Sequence, residues 1–260
     1  MPPSRIIHTP EEIVRIRRAA AVTAQVRDEL AQLTRPGMTT FELDMLAGQL
    51  IARTGGTSAF KNYYGYPGNI CISMNDTVIH GIGSPEQLIT ENDIVSIDLG
   101  VKIDGALGDC AVTLAFKSDL SADVKRLLRG TQEALMAGIA AAKCGAFVKD
   151  ISAAVEKCAR KHRLAVVRDY VGHGCGIKLH EPPEIPNYTG WGKGVRLEPG
   201  MVICIEPMFN LGTEAVKVDR NDNWTVRTRD GAWSAHFEHM ILITENEPEI
   251  LTWQKMMCSE

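Results

Sequence analysis

The sequence lacks any regular pairing of its cysteines. It contains no C-x-x-C pair of the kind that marks zinc knuckles, and an odd count does not suit a closed disulfide framework. This scatter favours a reducing compartment, so we expect a cytoplasmic protein. The seven cysteines are Cys71, Cys110, Cys144, Cys158, Cys175, Cys204 and Cys258.

Long apolar runs and an excess of one charge are lacking as well. Residues 1–12 contain no apolar segment like that of a secretory signal, and no run reaches the length of a membrane span. The net charge of −4 gives no electrostatic footprint for nucleic acid. We therefore expect neither membrane association nor direct DNA binding.

What is present is the composition of a globular protein with helices and strands in alternating blocks. The 260 residues, 45% apolar and 23% charged, can form one large domain or two small ones. Thr9-Pro10-Glu11-Glu12 predicts a helix start, and Thr39 with Glu42 predicts another. Two more helices are predicted from Ser121 and through Ile151, Val155 and Cys158 to about His162, with strands near 94–97, 110–113, 165–167, 201–205, 224–226 and 239–244.

The plan of the first half recurs in the second half at a constant offset. Gly37 precedes Gly145 by 108 residues, and the strand ending in Asp98 precedes the strand ending in Glu206 by the same distance. We therefore predict two similar halves, about 1–117 and 118–260, each with two helices and a sheet. Because neither half is expected to close its own sheet, we expect one fused domain, 1–260, with a site between the halves.

Two aspartates interrupt apolar runs on either side of a predicted hairpin turn. Asp104-Gly105 tolerates the positive φ of a tight turn, so a hairpin would bring Asp98 and Asp109 side by side. A carboxylate within a buried strand is costly unless a cation compensates it. The structural alternative is a pair of strand-end aspartates that bind turn amides.

Three further polar residues interrupt apolar segments in the second half, namely His173, Glu206 and Glu238. Taken singly, each could be a satisfied core histidine or a strand-end carboxylate. Together with the two aspartates they would bring four carboxylates into one core, where like charges repel unless they are protonated or bound to metal. Two divalent cations would neutralise them.

The motifs at these positions resemble those of the type I methionine aminopeptidases, and the resemblance covers nearly the whole chain. It implies an α/β (α+β) pita-bread fold, with two pseudo-twofold related halves that each contain two helices and an antiparallel-rich sheet. The matching segments are Tyr66-Pro67 to Ser73, Val78 to Ile82, Ile97-Asp98, Gly108-Asp109, Gly172-His173-Gly174, His180 to Pro183, Pro199 to Met201, Ile205-Glu206-Pro207 and Phe237-Glu238-His239.

The resemblance implies a dinuclear metal site. Asp109 and Glu238 would bridge two divalent ions, with Asp98 on one ion and with His173 and Glu206 on the other. One imidazole among four carboxylates suits manganese, iron or cobalt at least as well as zinc.

The resemblance also implies a reaction, the removal of an N-terminal methionine that precedes a small second residue. A metal-bridging hydroxide would attack the first peptide bond, with Glu206 as proton shuttle. His80 and His180 would face the substrate and stabilise the developing charge. For His80 the structural alternative is a loop imidazole with one backbone hydrogen bond. The substrates would be the N termini of nascent chains, which implies work near the ribosome, and the resemblance also implies a monomer.

The implied methionine pocket contains aromatic and sulfur surfaces that suit a thioether. Ordinary packing of the tyrosines is the alternative. Phe60 and Leu179 depart from the family pattern, which often has Cys and an aromatic there, and our hypothesis is that the two compensate in volume. His236, where Gln is usual, is predicted to tune a hydrogen bond to Glu238, and Asn223 replaces a customary Gly. The pocket residues are Phe60, Tyr63, Tyr66, Cys71, Leu179 and Trp224, beside His80 and His180.

Four other interpretations were weighed against this one. The glycine-rich segment from Gly172 lacks the Gly-Lys-Ser/Thr ending of a phosphate-binding loop. An aminopeptidase P or prolidase would carry a large extra N-terminal domain, and a type II methionine aminopeptidase would carry a helical insertion between Glu206 and Glu238. A metal-free binding module of the same fold would lose ligands, whereas all five are present here.

Overall fold

The computed structural model describes residues 6–190 and 192–253, so Cys258 and both ends of the predicted domain lie outside the described residues. The helices of the described part are α1 (Pro10–Leu33), α2 (Thr40–Arg53), α3 (Ala122–Ala141) and α4 (Val148–His162). The strands are β1 (Thr57–Ser58), β2 (Cys71–Met74), β3 (Thr77–Ile79), β4 (Ile94–Ile103), β5 (Ala106–Ala115), β6 (Ala165–Val166), β7 (Gly172–Gly174), β8 (Glu181–Ile185), β9 (Val202–Ile205), β10 (Met208–Asn210), β11 (Val216–Val218), β12 (Val226–Thr228), β13 (Ser234–His236), β14 (His239–Leu242) and β15 (Glu249–Ile250).

The predicted helix starts are confirmed, and side chains satisfy the free amides at each of them. At the start of α1, the Thr9 amide donates to Glu12 at 2.9 Å while the Glu12 amide donates to the Thr9 hydroxyl at 3.2 Å. The same reciprocal pair, Thr39 with Glu42, begins α2. Ser121 accepts from an amide of α3. Local sequence therefore determines where these helices begin.

The predicted repeat is confirmed in the backbone hydrogen bonds of both halves. Gly37 and Gly145 each have a positive φ, 94° and 83°, between the two helices of their half. The Gly37 amide donates to the Ile89 carbonyl and the Gly145 amide donates to the Leu197 carbonyl, each at 2.9 Å. Donors and acceptors are thus both 108 residues apart, so the two halves share a backbone plan.

The strands form four sheets whose pairings are antiparallel. In the N-terminal half, β4 is central, with β5 on one side and with β1 and β2 along the other. In the C-terminal half, one sheet has the order β15-β14-β9-β7-β8 and another has the order β13-β10-β6. The remaining sheet, β11-β12-β3, combines two strands of the C-terminal half with β3 of the N-terminal half. An isolated bridge between Ala111 and Glu238 joins the sheets of the two halves.

The structure corrects two predicted strands. The strand with Asp98 does not end there: β4 continues to Ile103 and pairs with β5 along its full length. Its counterpart in the second half does stop before Glu206, because Pro207 has no amide to donate to a ladder. Trp224 precedes β12 rather than belonging to it, since Asp222 Oδ1 accepts the Trp224 amide at 2.8 Å and holds it in a turn.

A buried hydrophobic core lies between the helices and the sheets of each half. Leu30, Leu43 and Ile97 belong to the core of the first half, and Leu127 and Phe209 belong to that of the second. A third buried cluster contains residues of both halves and borders the cavity described below. Among the described residues, no helix has the length and apolar character needed to cross a membrane.

The packing of α1 on β5 depends on the absence of a side chain at Gly108. A Cβ built on Gly108 would lie 2.5 Å from the Ala20 Cα, which is backbone and cannot rotate away. A Gly108→Ala substitution is therefore expected to destabilise the fold by about 1–3 kcal/mol through overpacking. Gly190→Ala is the matched control, because a Cβ there meets nothing within 4 Å. Urea unfolding measures both variants, and equal midpoints would contradict this account.

Candidate active site

The strand register brings three carboxylates onto one face of the joined sheets. Asp98 pairs with Ala111 across the hairpin, and Ala111 pairs with Glu238 across the bridge between the halves. Asp109 pairs with Gly100, two residues from Asp98, and so lies on the same face in the next row. The two aspartates, predicted to lie side by side, are thus diagonal neighbours across the hairpin.

The C-terminal sheet extends this face. Met240, two residues after Glu238, pairs with Cys204, so the Cys204 side chain is on the same face as the carboxylates. Glu206 follows two residues later, immediately beyond the end of β9. Gly174 pairs with Ile203, which places the preceding His173 on the face of Cys204. All five predicted metal ligands therefore project from one surface.

These residues line one cavity of about 260 Å³ between the two halves. All thirteen residues predicted for the ligand, catalytic and pocket roles are in its wall. The residues of the wall that sequence reasoning did not identify are Tyr64, Ile79, Tyr170 and Val171. Ile79 directly precedes the predicted His80, and Val171 lies two residues before the predicted His173. This closeness in sequence was the available signal for both.

The carboxylates of the cavity have unsatisfied oxygens. Asp98 Oδ1, Asp109 Oδ1 and Glu238 Oε1 are buried without a hydrogen-bond partner, and Asp109 and Glu238 are only 3% and 2% exposed. Burial raises the pKa of Asp98 to about 7 and the pKa of Glu206 to about 8. Burial and neighbouring carboxylates raise the pKa values of Asp109 and Glu238 well above their usual range. Cations would relieve this repulsion, so the donor set fits divalent metal.

His173 is oriented as a metal ligand would be. Its Nδ1 lies 2.9 Å from the Gly174 carbonyl oxygen, to which a protonated Nδ1 donates, and this leaves the lone pair on Nε2. Nε2 faces Glu206 Oε1 at 3.4 Å. Burial, together with the neighbouring His180, lowers the pKa of His173 to about 3, so the imidazole is neutral at physiological pH.

A tighter group within this surface includes a residue that was not predicted. One ligand atom from each of Asp109, His173, Cys204 and Glu238 lies within 4.8 Å of all the others. Cys204 was predicted only as part of a buried strand. Strand alternation was the missed signal, because a residue two positions before Glu206 shares its face.

The two predicted catalytic histidines face the cavity from different elements. His80 follows β3 with a φ of 58°, a left-handed conformation that is uncommon outside glycine. Gly81 must follow, because a Cβ there would lie 2.0 Å from the Ile72 carbonyl oxygen. His180 Nδ1 lies 2.9 Å from the Tyr63 hydroxyl. Burial lowers the pKa of His80 to about 4 and also lowers that of His180.

The residues predicted for the methionine pocket adjoin one another. The Tyr66 hydroxyl lies within hydrogen-bond distance of the Ile70 and Gly81 carbonyl oxygens, to which it can donate. The ring centroid of Tyr66 is 5.2 Å from that of Trp224. Phe60 and Leu179 belong to the same buried cluster as Tyr66. This wall is aromatic and aliphatic, which suits an apolar side chain.

His236 does not take the predicted position beside Glu238. Its buried Nε2 lies 3.6 Å from Glu206 Oε2 and has no hydrogen-bond partner. In the sheet, His236 pairs with Met208, two residues after Glu206, which places the imidazole near that carboxylate. His236 therefore acts on Glu206 and, electrostatically, on Asp98.

Comparison with known proteins agrees with the fold and with metal-dependent chemistry. The model of metallopeptidase family M24 matches residues 14–245. The chain is 44% identical over 247 residues to methionine aminopeptidase 1 of Bacillus subtilis, covering 95% of this chain and 98% of that protein. The crystal structure of methionine aminopeptidase from Rickettsia prowazekii superposes with a TM-score of 0.92 at 38% identity, covering 96% of this chain and all of that chain.

A second kind of structure shares the fold alone. Prolidase from Pyrococcus furiosus superposes with a TM-score of 0.76 at 24% identity, and the match covers 96% of this chain and 66% of that chain. Together these structures confirm the predicted pita-bread fold.

The carboxylate cluster predicts how the stability of the metal-free protein depends on pH. Unfolded carboxyls have pKa values near 4, whereas Asp98 and Glu206 have values of about 7 and 8 in the fold. Between about pH 6.5 and 8 the folded state therefore binds more protons than the unfolded state. Stability is expected to fall with rising pH by on the order of 1 kcal/mol per unit. The buried histidines, neutral in the fold, oppose this only while unfolded imidazoles keep their protons, so their opposing effect fades as the pH rises from about 6.5 to about 7.5.

Denaturant unfolding of chelator-treated protein measures this slope. Divalent metal should abolish the decline, because the bound form needs ionised carboxylates. Glu206→Gln should make the slope shallower, whereas substitution of the exposed Glu91 by Gln should leave it unchanged. Metal-free stability that rises across this range would contradict the prediction.

Proposed function

The chain belongs to metallopeptidase family M24 and is a metal-dependent hydrolase of the methionine aminopeptidase kind; from that premise we propose which residues carry the reaction. The substrates are polypeptides with an N-terminal methionine and a small second residue. The observation that carries the assignment is the convergence of four carboxylates and a neutral imidazole on one cavity wall. The ligands come from both halves, which supports our proposal that the whole chain is one catalytic domain.

We propose that Asp98, Asp109, His173, Glu206 and Glu238 hold two divalent ions. Asp109 and Glu238 lie between Asp98 on one side and Glu206 with His173 on the other, and they would hold the ions together with both of these groups. Bound metal supplies an activated water and a Lewis acid for the scissile carbonyl. The oxygen-rich donor set is compatible with manganese, iron, cobalt or zinc.

Glu206 is assigned the proton transfer. Its Oε1 faces Nε2 of His173 at 3.4 Å, as expected if both are ligands of one ion. Its Oε2 faces His236 at 3.6 Å and is therefore the oxygen available to accept a proton from water and to deliver it to the leaving amine. Burial of this carboxyl keeps its proton affinity high.

His80 and His180 are assigned as donors to the charge that develops on the scissile carbonyl. Both imidazoles are neutral near pH 7, so each has one N–H to donate. Burial raises the pKa of Tyr63, whose protonated hydroxyl donates to Nδ1 of His180. That bond leaves the proton of His180 on Nε2, directed away from Tyr63.

The methionine side chain is assigned to the wall formed by Phe60, Tyr66, Cys71, Leu179 and Trp224. Tyr66 is fixed by its two carbonyl acceptors, so the wall is preorganised. We further propose that the protein acts in the cytoplasm as a monomer, on the N termini of nascent chains near the ribosome. The scatter of the cysteines supports a reducing compartment, and the similarity to methionine aminopeptidases supports action on N-terminal methionine.

Hydrolysis of two peptides tests the function. Chelator-stripped protein should release methionine from Met-Ala-Ser only after Mn²⁺ or Co²⁺ is added, and should release none from Met-Leu-Ser. Asp109→Asn should lower kcat/KM by more than about a hundredfold, because it removes a bridging charge. Asp104→Asn at the exposed hairpin tip is the matched control. A folded protein that releases no methionine with any divalent metal would contradict the proposal.

The pocket predicts a compensating pair. If Phe60 and Leu179 share one volume, Phe60→Cys and Leu179→Phe should each change the preference for methionine over norleucine or leucine at the first position. The double variant should recover the preference of the parent. Leu88→Phe is a control at an exposed position. Measured kcat/KM ratios that stay constant in both single variants would exclude compensation.

A further inference from the structure

We propose that Cys204 is a sulfur ligand of the metal centre, and that it gives this site affinity for thiophilic divalent cations such as zinc and cadmium. The inference rests on the proposed metal-dependent function and extends it to the choice of metal. The five-ligand set contains only oxygen and nitrogen donors, so a thiolate would change the character of the site.

The backbone register places Cys204 among the ligands. It pairs with Met240, which follows Glu238 by two residues on the same face. Glu206 follows Cys204 by two residues, and His173 is on the neighbouring strand of the same sheet. A thiol at this position therefore adjoins the ligands from the protein side, because Cys204 is fully buried and is not part of the cavity wall that the five predicted ligands form.

The distances within this group are short enough for its atoms to bind one cation. One ligand atom each of Asp109, His173, Cys204 and Glu238 lies within 4.8 Å of the other three. Cys204 is fully buried. The buried Asp109 Oδ1 and Glu238 Oε1 lack any hydrogen-bond partner, which is an independent sign that this group binds a cation.

The donor chemistry selects the class of cation. Two carboxylates, one imidazole and one thiolate form a four-donor set of the hardness that zinc accepts, and the sulfur favours zinc and cadmium over manganese. When the metal–sulfur bond forms, the thiol proton is released to the buffer and the sulfur electron pair binds the cation. No oxidant or reductant is involved.

Cys175 provides the internal comparison. The Cys175 sulfur forms a separate group with the Cys204 sulfur and a ring nitrogen of His173. The group that contains the carboxylates of Asp109 and Glu238 does not include Cys175. Its amide donates to the Val202 carbonyl at 3.1 Å, one row farther from Glu206. We therefore assign the sulfur ligand to Cys204 alone.

X-ray absorption of the zinc-loaded full chain tests the assignment. With one equivalent of zinc, the parent and Cys175→Ala should each show about one sulfur scatterer at about 2.3 Å, and Cys204→Thr should show none. Cys204→Thr should also weaken Cd²⁺ binding by at least about tenfold, with a change below about threefold for Mn²⁺.

Several outcomes would overturn the assignment. Bound zinc without a sulfur scatterer in the parent refutes it, and so does a sulfur scatterer that remains in Cys204→Thr. Loss of the sulfur scatterer in Cys175→Ala would show that Cys175, and not Cys204, is the ligand. Should Cys204→Thr not fold, the spectra of the parent and of Cys175→Ala decide. Zinc content and methionine release from Met-Ala-Ser distinguish a failure of the sulfur-ligand assignment from a failure of the proposed function. Bound metal and cleavage without a sulfur shell refute only this inference, whereas neither binding nor cleavage refutes the proposed function too.

Discussion

The mutual repulsion of buried carboxylates is the constraint on which the rest of the structure depends. Asp98, Asp109, Glu206 and Glu238 project from one surface where water is scarce, and three of their oxygens have no hydrogen-bond partner. Such an arrangement is stable only with bound protons or bound cations. The raised pKa values and the fit to divalent metal are therefore two expressions of a single electrostatic fact, and the same fact places the chemistry in this cavity.

The bridge between Ala111 and Glu238 converts two half-sheets into one site. Glu238 donates its amide to Ala111 at 3.0 Å, and this contact sets the row in which Asp98 and Glu238 lie. Because side chains alternate along each strand, one wrong register step would turn the carboxylates to the opposite face. The joining of the halves and the assembly of the ligands are thus one structural event, which explains why neither half could hold the site alone.

Local signals in the sequence predicted what local physics determines. Thr9 and Glu12 cap a helix wherever they occur in this spacing, and Asp104-Gly105 forms a tight turn with positive φ at both residues. Non-local features were harder to predict. The continuation of β4 past Asp98 depends on its pairing partner, and the position of His236 beside Glu206 depends on the pairing of β13 with β10. The role proposed for Cys204 needs the register of two strands that are distant in sequence, which no short motif encodes.

The asymmetry of the repeat is what makes the site directional. Asp98 and Glu206 are 108 residues apart and hold equivalent positions, so the shared plan of the halves supplies one carboxylate each. Asp109 has Lys217 as its counterpart, and Lys217 is exposed on β11 in another sheet. The counterpart of Glu238 is Gly130, within α3. The two carboxylates that we propose as shared ligands thus arise only where the halves differ. A symmetric pair of carboxylates would bind a cation without distinguishing its two sides, whereas these added residues would give the proposed ions different ligands, with the one proposed histidine ligand, His173, beside Glu206. Directed proton transfer to one product requires that difference, so the departures from the repeat, more than the repeat itself, carry the chemistry.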